Sequence, residues 1–253
     1  MKKNQEYFNL PWTLAGIFFL LLVWELAARF FGSIIILPGP LPVVKHFYRL
    51  IFTRRFLLAL WGSFHRVFGG MVIAVPLGLV AGIVSGLEKR VHAFLKPVFS
   101  VISSTPVISV ILILFLFLGS DRTPVFTAFL MIFPIISANV IEGINSTDPK
   151  LKELFVSFRM NRRETLKYLY IPSLAPFILG GLHSSLSLSW KVVVSAEVIV
   201  QPLRSLGTGM QNAKANLETP ELFAWTATIV IAAAFSQSLL SMIIKTIERC
   251  RKN

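Results

Sequence analysis

The chain has 253 residues, 55% of them hydrophobic and only 15% charged, with a mean hydropathy of +0.71 and a formal net charge of +13. That composition excludes a water-soluble globule and describes an integral membrane protein. A single cysteine, Cys250, excludes an intrachain disulfide and a cysteine metal site, and the four histidines, His46, His65, His92 and His183, lack metal-ligand spacing.

The positive charge does not point to nucleic acid. Lys and Arg sit in short loops between apolar runs, which fits contact with anionic lipid and control of topology. Met1 to Tyr7 is a short basic leader, and Leu10 to Phe31 is the first apolar run, long enough to cross a hydrocarbon core of about 30 Å. It lacks a small-x-small cleavage site and reads as a retained span rather than a cleaved signal. Ile34 to Trp61 follows with the proline-rich LPGPLP and an amphipathic helix over Val43 to Phe52. This segment belongs at the outer surface, yet its Lys45, Arg49, Arg54 and Arg55 run against the positive-inside rule.

The second span, Phe64 to Leu87, places Gly70, Ala74, Gly78, Gly82 and Gly86 on one helix face, a spacing that lets a neighbouring backbone approach closely. Glu88, Lys89 and Arg90 mark a cytoplasmic turn. The third span, Pro97 to Gly119, carries Ser103, Thr105 and Pro106, and Pro106 removes a backbone donor, so the helix should kink or open there. A broken, hydroxyl-bearing helix is a candidate pathway lining, and a plain proline kink is the alternative. Asp121 and Arg122 form an outer turn before the fourth span, Thr123 to Ile144, with Glu142 near its cytoplasmic end.

The fifth span, Ser173 to Val200, holds what reads as the only clear intramembrane cation, Lys191. It shares a polar face with Ser184, Ser187 and Ser195, at i, i+3, i+7 and i+11. A charged Lys at mid-membrane costs about 2.5–3.5 kcal/mol on insertion scales, so it does not point at lipid. Pathway lining, an ion pair with Glu142 or Glu197, and snorkelling to an interface are the three readings. Gln201 to Glu221 forms a polar outer loop with Gly207 and Gly209, and Leu222 to Lys245 is the last span before a basic tail. The expected architecture is all-α, a polytopic membrane protein of about six transmembrane helices in one domain over residues 1–253. Both termini lie in the cytoplasm, which puts fifteen Lys and Arg in cytoplasmic segments and about nine outside.

One long segment is neither apolar enough for lipid nor loop-like: Asp148 to Pro172, DPKLKELFVSFRMNRRETLKYLYIP. Leu151, Leu154, Phe155 and Phe158 fall at i, i+3, i+4 and i+7, with Asp148 as N-cap and Pro149 at the first helical position. Leu166, Leu169 and Tyr170 repeat the pattern behind a capping box of Asn161 and Glu164. Six basic residues against three acidic ones place it in the cytoplasm. An amphipathic helix pair lying on the inner leaflet would read the same way.

These residues resemble the cytoplasmic coupling loop of binding-protein-dependent ABC importer permeases: Glu-Ala-Ala, three residues, Gly, an amphipathic helix, then an aliphatic-Pro pair. Glu153 takes the Glu position, Arg159 the Gly position, and Ile171-Pro172 the closing pair. Leu154 and Phe155 stand where the alanines would be. With Arg159 replacing Gly, the left-handed turn residue is expected at Asn161. The similarity extends over nearly the whole chain, through LPGPLPVV at 37–44, the LxLxW run ending at Trp190, Glu197 and NLETPELFA at 216–224. It is strongest to the nitrate, sulfonate and taurine group.

The resemblance implies an ABC importer type I permease fold and the membrane subunit of an ATP-driven importer in a prokaryotic plasma membrane. It implies an ABC ATPase subunit, an extracytoplasmic substrate-binding protein and a second permease copy as partners. Glu153, Phe155, Phe158, Arg159, Asn161, Arg162, Ile171 and Pro172 are the expected ATPase-coupling residues. Ser103, Thr105, Pro106, Ser184, Ser187, Lys191 and Ser195 are the candidate pathway residues. No GxxxxGK[ST] loop occurs, so no cofactor is expected on this chain and ATP would be hydrolysed by the partner. An ion-driven carrier or channel would require ionisable relays in several spans and an inverted repeat. An intramembrane enzyme would require HExxH, GxSxG or a similar constellation, and the sequence contains neither motif.

Overall fold

The computed structural model describes the backbone of residues 3–252 and the side chains of residues 11–161 and 163–246. Among the described residues there are only helices. They are α1 (Lys3–Phe31), α2 (Pro40–Ile51), α3 (Arg54–Leu87), α4 (Lys89–Ser104), α5 (Val107–Asn145), α6 (Pro149–Ser157), α7 (Arg162–Thr165) with a π-helical turn (Leu166–Tyr170), α8 (Ile171–Val200), α9 (Leu206–Ala215) and α10 (Thr219–Lys252).

The core is the α3–α5–α8 sandwich, and the small-residue face of α3 builds it. A Cβ on Gly70 would lie 2.6 Å from Ala128 Cβ, on Gly78 2.8 Å from Ile136, on Gly82 2.6 Å from Val140, and on Gly86 2.6 Å from Ile144. The helices therefore pack backbone against side chain, and no larger residue fits along this stripe. The Ser137 hydroxyl reaches across to donate to the Gly78 carbonyl at 3.2 Å.

The paired positions rise together along both helices, so α3 and α5 run parallel. Parallel neighbours require the intervening chain to cross back. Arg66, near the start of α3, contacts Asp121, whereas Glu88 ends that helix, so residues 88–120 traverse the thickness of the bundle. Among the described residues, five helices are long and apolar enough to cross a membrane by length and hydropathy alone. The sixth crossing, the third in chain order, is made in two pieces: α4 and the first part of α5 up to Gly119.

The break falls at Thr105 and Pro106, where Thr105 adopts φ −73°, ψ 129°. A residue before proline is pushed out of the helical region, and Pro106 cannot donate to the preceding turn. Gly119, at φ 69° and ψ −178°, makes the second bend, a backbone conformation that L side chains rarely adopt.

At the opposite edge, Trp225 of α10 is fully buried, stacked on Phe56 at 5.7 Å and pressed against Gly209 of α9. Helix α1 touches the rest of the chain near one end, through the Trp24–Phe223 stack at 5.9 Å and the Trp24 Nε1–H donated to the Pro38 carbonyl at 2.9 Å. Only 6% of its apolar window is buried.

Candidate functional site

The segment after α5 folds as its sequence directs. The Asp148 carboxylate accepts from the Lys150 N–H at 2.8 Å and starts α6. Asn161 Oδ1 accepts from the Glu164 N–H at 2.9 Å, and Glu164 Oε2 accepts from the Asn161 N–H at 2.9 Å, a reciprocal capping box opening α7.

Two expectations are corrected here. The left-handed residue is Arg159 itself, at φ 52°, not Asn161, because Asn161 is committed to its cap. The second helix is also not a separate piece closed by Ile171-Pro172. Helix continues from α7 through the π-helical turn into α8, and the Ile171 N–H reaches back to the Leu166 carbonyl. Pro172, which has no N–H to donate, follows this widened turn directly, so the proline falls where the hydrogen-bond register changes.

No residue of α6 is buried. Leu151, Leu154, Val156 and Phe158 are exposed, Phe155 is half-buried, and Glu153 and Arg159 are exposed. The apolar face predicted from the spacing is thus present and lacks a cover from its own chain. The side chain of Arg162 lies outside the described residues. A non-Gly residue in the left-handed region costs about 1–2 kcal/mol. Arg159→Gly should therefore raise thermal stability slightly and leave coupling intact, and measured loss of coupling would show that the Arg159 side chain contacts a partner.

At the far end of the bundle the structure assembles a buried network. Glu197 on α8 has no solvent exposure. It accepts from the Ser63 hydroxyl at 2.7 Å and 2.9 Å, from Arg66 Nη1 at 3.2 Å and from the Gly207 N–H at 3.2 Å. Ser63 in turn accepts from the Leu206 N–H at 2.9 Å. Arg66 also donates to the Leu203 carbonyl at 3.0 Å, the Arg204 carbonyl at 3.3 Å and the Asp121 carboxylate at 3.3 Å. One guanidinium therefore ties α3, α8, the Asp121 turn and the loop into α9, and a Cβ on Gly207 would collide with Glu197.

Lys191 is consequently not the only cation within the spans. Arg66 lies at the start of the second span, three residues after Ser63, and that spacing is the only local trace of the network in the sequence. Beside this network an open recess of about 570 Å³ is lined by Trp61, His65, Arg122 and Arg204. Glu218, exposed before α10, has its carboxyl raised above the ordinary range, chiefly because its protonated form donates a hydrogen bond to the Glu221 carboxylate and because of that neighbour's charge.

The predicted polar stripe of α8 is only partly one surface. Ser184, Lys191 and Ser195 are exposed, and the Ser184 hydroxyl donates to the Gly180 carbonyl at 3.0 Å. Ser187 is half-buried and accepts from the Gln237 side chain of α10, so it belongs to the core side. Among the described residues Lys191 makes no ion pair. An ion pair with Glu197 or Glu142 of the same chain is overturned: Glu197 is held by Ser63 and Arg66, and Glu142 accepts from the Ser146 hydroxyl at 3.1 Å.

Ser103 and Pro106 are exposed and Thr105 is half-buried with its hydroxyl donated to the Val101 carbonyl at 2.6 Å. Ile111 packs on Ala196 and Val200. Since α8 and the 107–118 segment run in the same direction, the Thr105–Pro106 break lies at the depth of Lys191.

The model of the family described as "Binding-protein-dependent transport system inner membrane component" matches residues 74–249. A probable ABC transporter permease protein of Brucella melitensis is 28% identical, over 81% of this chain and 84% of its own length. The taurine transport system permease protein TauC of Escherichia coli is 27% identical, over 83% of this chain and 78% of its own length. Among solved structures, a bacterial ABC transporter involved in the import of alginate is similar with a TM-score of 0.64 at 13% identity, covering 97% of this chain and 99% of that one. That likeness is one of fold.

Proposed function

This chain belongs to the family of binding-protein-dependent transport system inner membrane components, and on that premise we propose how it works. It is the membrane-spanning permease subunit of an ATP-driven importer, and its 148–172 segment is where a separate ATPase subunit acts on it. The observation that carries this reading is α6, a capped helix with an apolar face and no buried residue of its own. An interfacial helix would also show such a face. The capping box and the rigid continuation into α8 favour a lever instead, since a push on α6 and α7 would be transmitted along one helix to the level of Lys191.

Residues 148–172 and both termini lie on the cytoplasmic side, in keeping with the distribution of Lys and Arg. The Asp121 turn, the loop at 201–205 and α9 then face outward, towards an extracytoplasmic binding protein. A second permease copy completes the pathway, and the exposed strip of Ser184, Lys191 and Ser195, together with the Thr105–Pro106 break, lines it.

Lys191 has no counter-charge among the described residues, so the solute it favours carries negative or strongly accepting groups. The taurine relative is named for a solute with a sulfonate, which fits that chemistry. Lys191→Gln should leave the amount of assembled protein unchanged and lower transport of an anionic solute about tenfold or more, the loss of one charge-assisted hydrogen bond worth about 1.5–3 kcal/mol. Uptake assays on the variant check it. Unchanged transport removes Lys191 from the pathway, and a fall in assembly instead would indicate a charge partner on the second copy.

A further inference from the structure

The four basic residues at 45–55 remain unexplained by transport, and they oppose the usual charge distribution across a membrane. Arg54 and Arg55 directly precede the α3 residues of a cleft of about 390 Å³ between α3 and α10, to which α2 contributes Phe47. Its walls are Phe47, Leu57, Leu60, Trp61, Phe64 and, from α10, Ile231 with its neighbours. The two hydroxyls on the α10 wall are already used: Thr228 donates to the Ala224 carbonyl at 2.9 Å and Ser236 to the Ala232 carbonyl at 2.7 Å. The cleft therefore offers nothing to a polar solute and suits only a hydrocarbon chain or an apolar helix. It opens sideways, with Trp61 68% exposed on its lip.

Arg54, Leu57, Trp61 and Phe64 fall at i, i+3, i+7 and i+10 of α3, so Arg54 stands one turn beyond the cleft on the same helix face. Arg55, by contrast, turns to Glu221 at 3.9 Å and lies over the Trp225 ring. Arg54 is exposed and makes no ion pair among the described residues.

Helix length sets its depth. The 34 residues of α3 span about 51 Å, against about 40–45 Å for a bilayer with its headgroups. The tilted helix thus runs from one headgroup layer to the other and delivers Arg54 to the outer one. Helix α2 lies in that layer too: Leu41, Val44, Tyr48 and Phe52 form an exposed apolar stripe flanked by Lys45 and Arg49.

We propose that the α3–α10 cleft binds an acyl chain of an anionic glycerophospholipid of the outer leaflet, with Arg54 meeting its phosphate-bearing headgroup. An apolar helix such as α1 of a second copy would also fill the groove, but its Glu25 carboxylate is already paired with Arg29 of the same helix at 2.7 Å and brings no free anion to Arg54, which is why the lipid is preferred.

The test places the full-length protein in phosphatidylcholine nanodiscs with equal mole fractions of either bromoacyl phosphatidylglycerol or bromoacyl phosphatidylcholine. Quenching at Trp61 is taken as the part of the quenched fluorescence that disappears in Trp61→Phe. It should be at least twofold greater with the phosphatidylglycerol, the difference should vanish in Arg54→Gln, and Arg54→Lys should restore part of it. Equal quenching by both lipids would overturn the proposal, as would a headgroup preference that survives Arg54→Gln. Quenching by neither lipid would overturn it as well, and would mean that the cleft is closed by protein.

Discussion

Arg66→Ala should cost the folded protein about 3–5 kcal/mol, the usual penalty for leaving one member of a buried ion pair without its partner. Glu197 has no access to water and would keep only neutral donors, the Ser63 hydroxyl and the Gly207 N–H. The Leu203 and Arg204 carbonyls would lose their donor in the same step. The expected result is a sharp fall in the yield and thermal midpoint of protein extracted in mild detergent.

Asp121 contacts the same guanidinium, but its side chain is 72% exposed, so Asp121→Ala should cost no more than about 1 kcal/mol. Removing both buried charges together, Arg66→Met with Glu197→Leu, should recover part of the loss, because the uncompensated charge disappears. If Arg66→Ala proves as mild as Asp121→Ala, the pair does not hold the loop into α9.

The second large effect is on coupling rather than stability. Phe155→Ala and Phe158→Ala remove the two aromatic side chains of the apolar face of α6 and its C-cap, Phe155 half-buried and Phe158 exposed, and Glu153→Ala removes an exposed carboxylate with no partner among the described residues. None of the three fills a core position, so yield and thermal midpoint should stay close to those of the unaltered protein. A central apolar anchor in an interface is worth about 2 kcal/mol or more, which is about thirtyfold in docking strength. Transport by the phenylalanine variants should fall to about a tenth or less, while ATP hydrolysis by the partner continues without solute movement. Full transport in both would remove α6 from the energy-coupling surface.

Much of this arrangement is written in local sequence. The glycine and alanine stripe of α3 identified a close helix contact because spacing alone determines which residues share a face. Asp148 and the Asn161–Glu164 box declared the helix starts, since capping involves groups only two or three residues apart. Pro106 announced the break.

What was not legible depends on distant or competing interactions. Arg66 and Glu197 are 131 residues apart, and nothing near either names the other. Asn161 is the better left-handed residue in isolation, but its side chain and backbone are both taken by the capping box, so the strain moved to Arg159. The helix continues past Ile171-Pro172 through a π-helical turn at Leu166–Tyr170, a register change that periodicity does not reveal. The count of long helices also understates the crossings, since the parallel packing of α3 and α5 requires a pass that Pro106 divides into two short pieces.

The most direct test of the central claim is the composition of the complex formed by an affinity-tagged, full-length copy of this chain extracted gently from its own membrane. The account predicts an ABC ATPase chain bearing a phosphate-binding loop, present in stoichiometric amount, hydrolysing ATP, and largely lost when Phe155 and Phe158 are both replaced by alanine. A chain that purifies without any ATPase and moves solute in proteoliposomes on an ion gradient alone would contradict it.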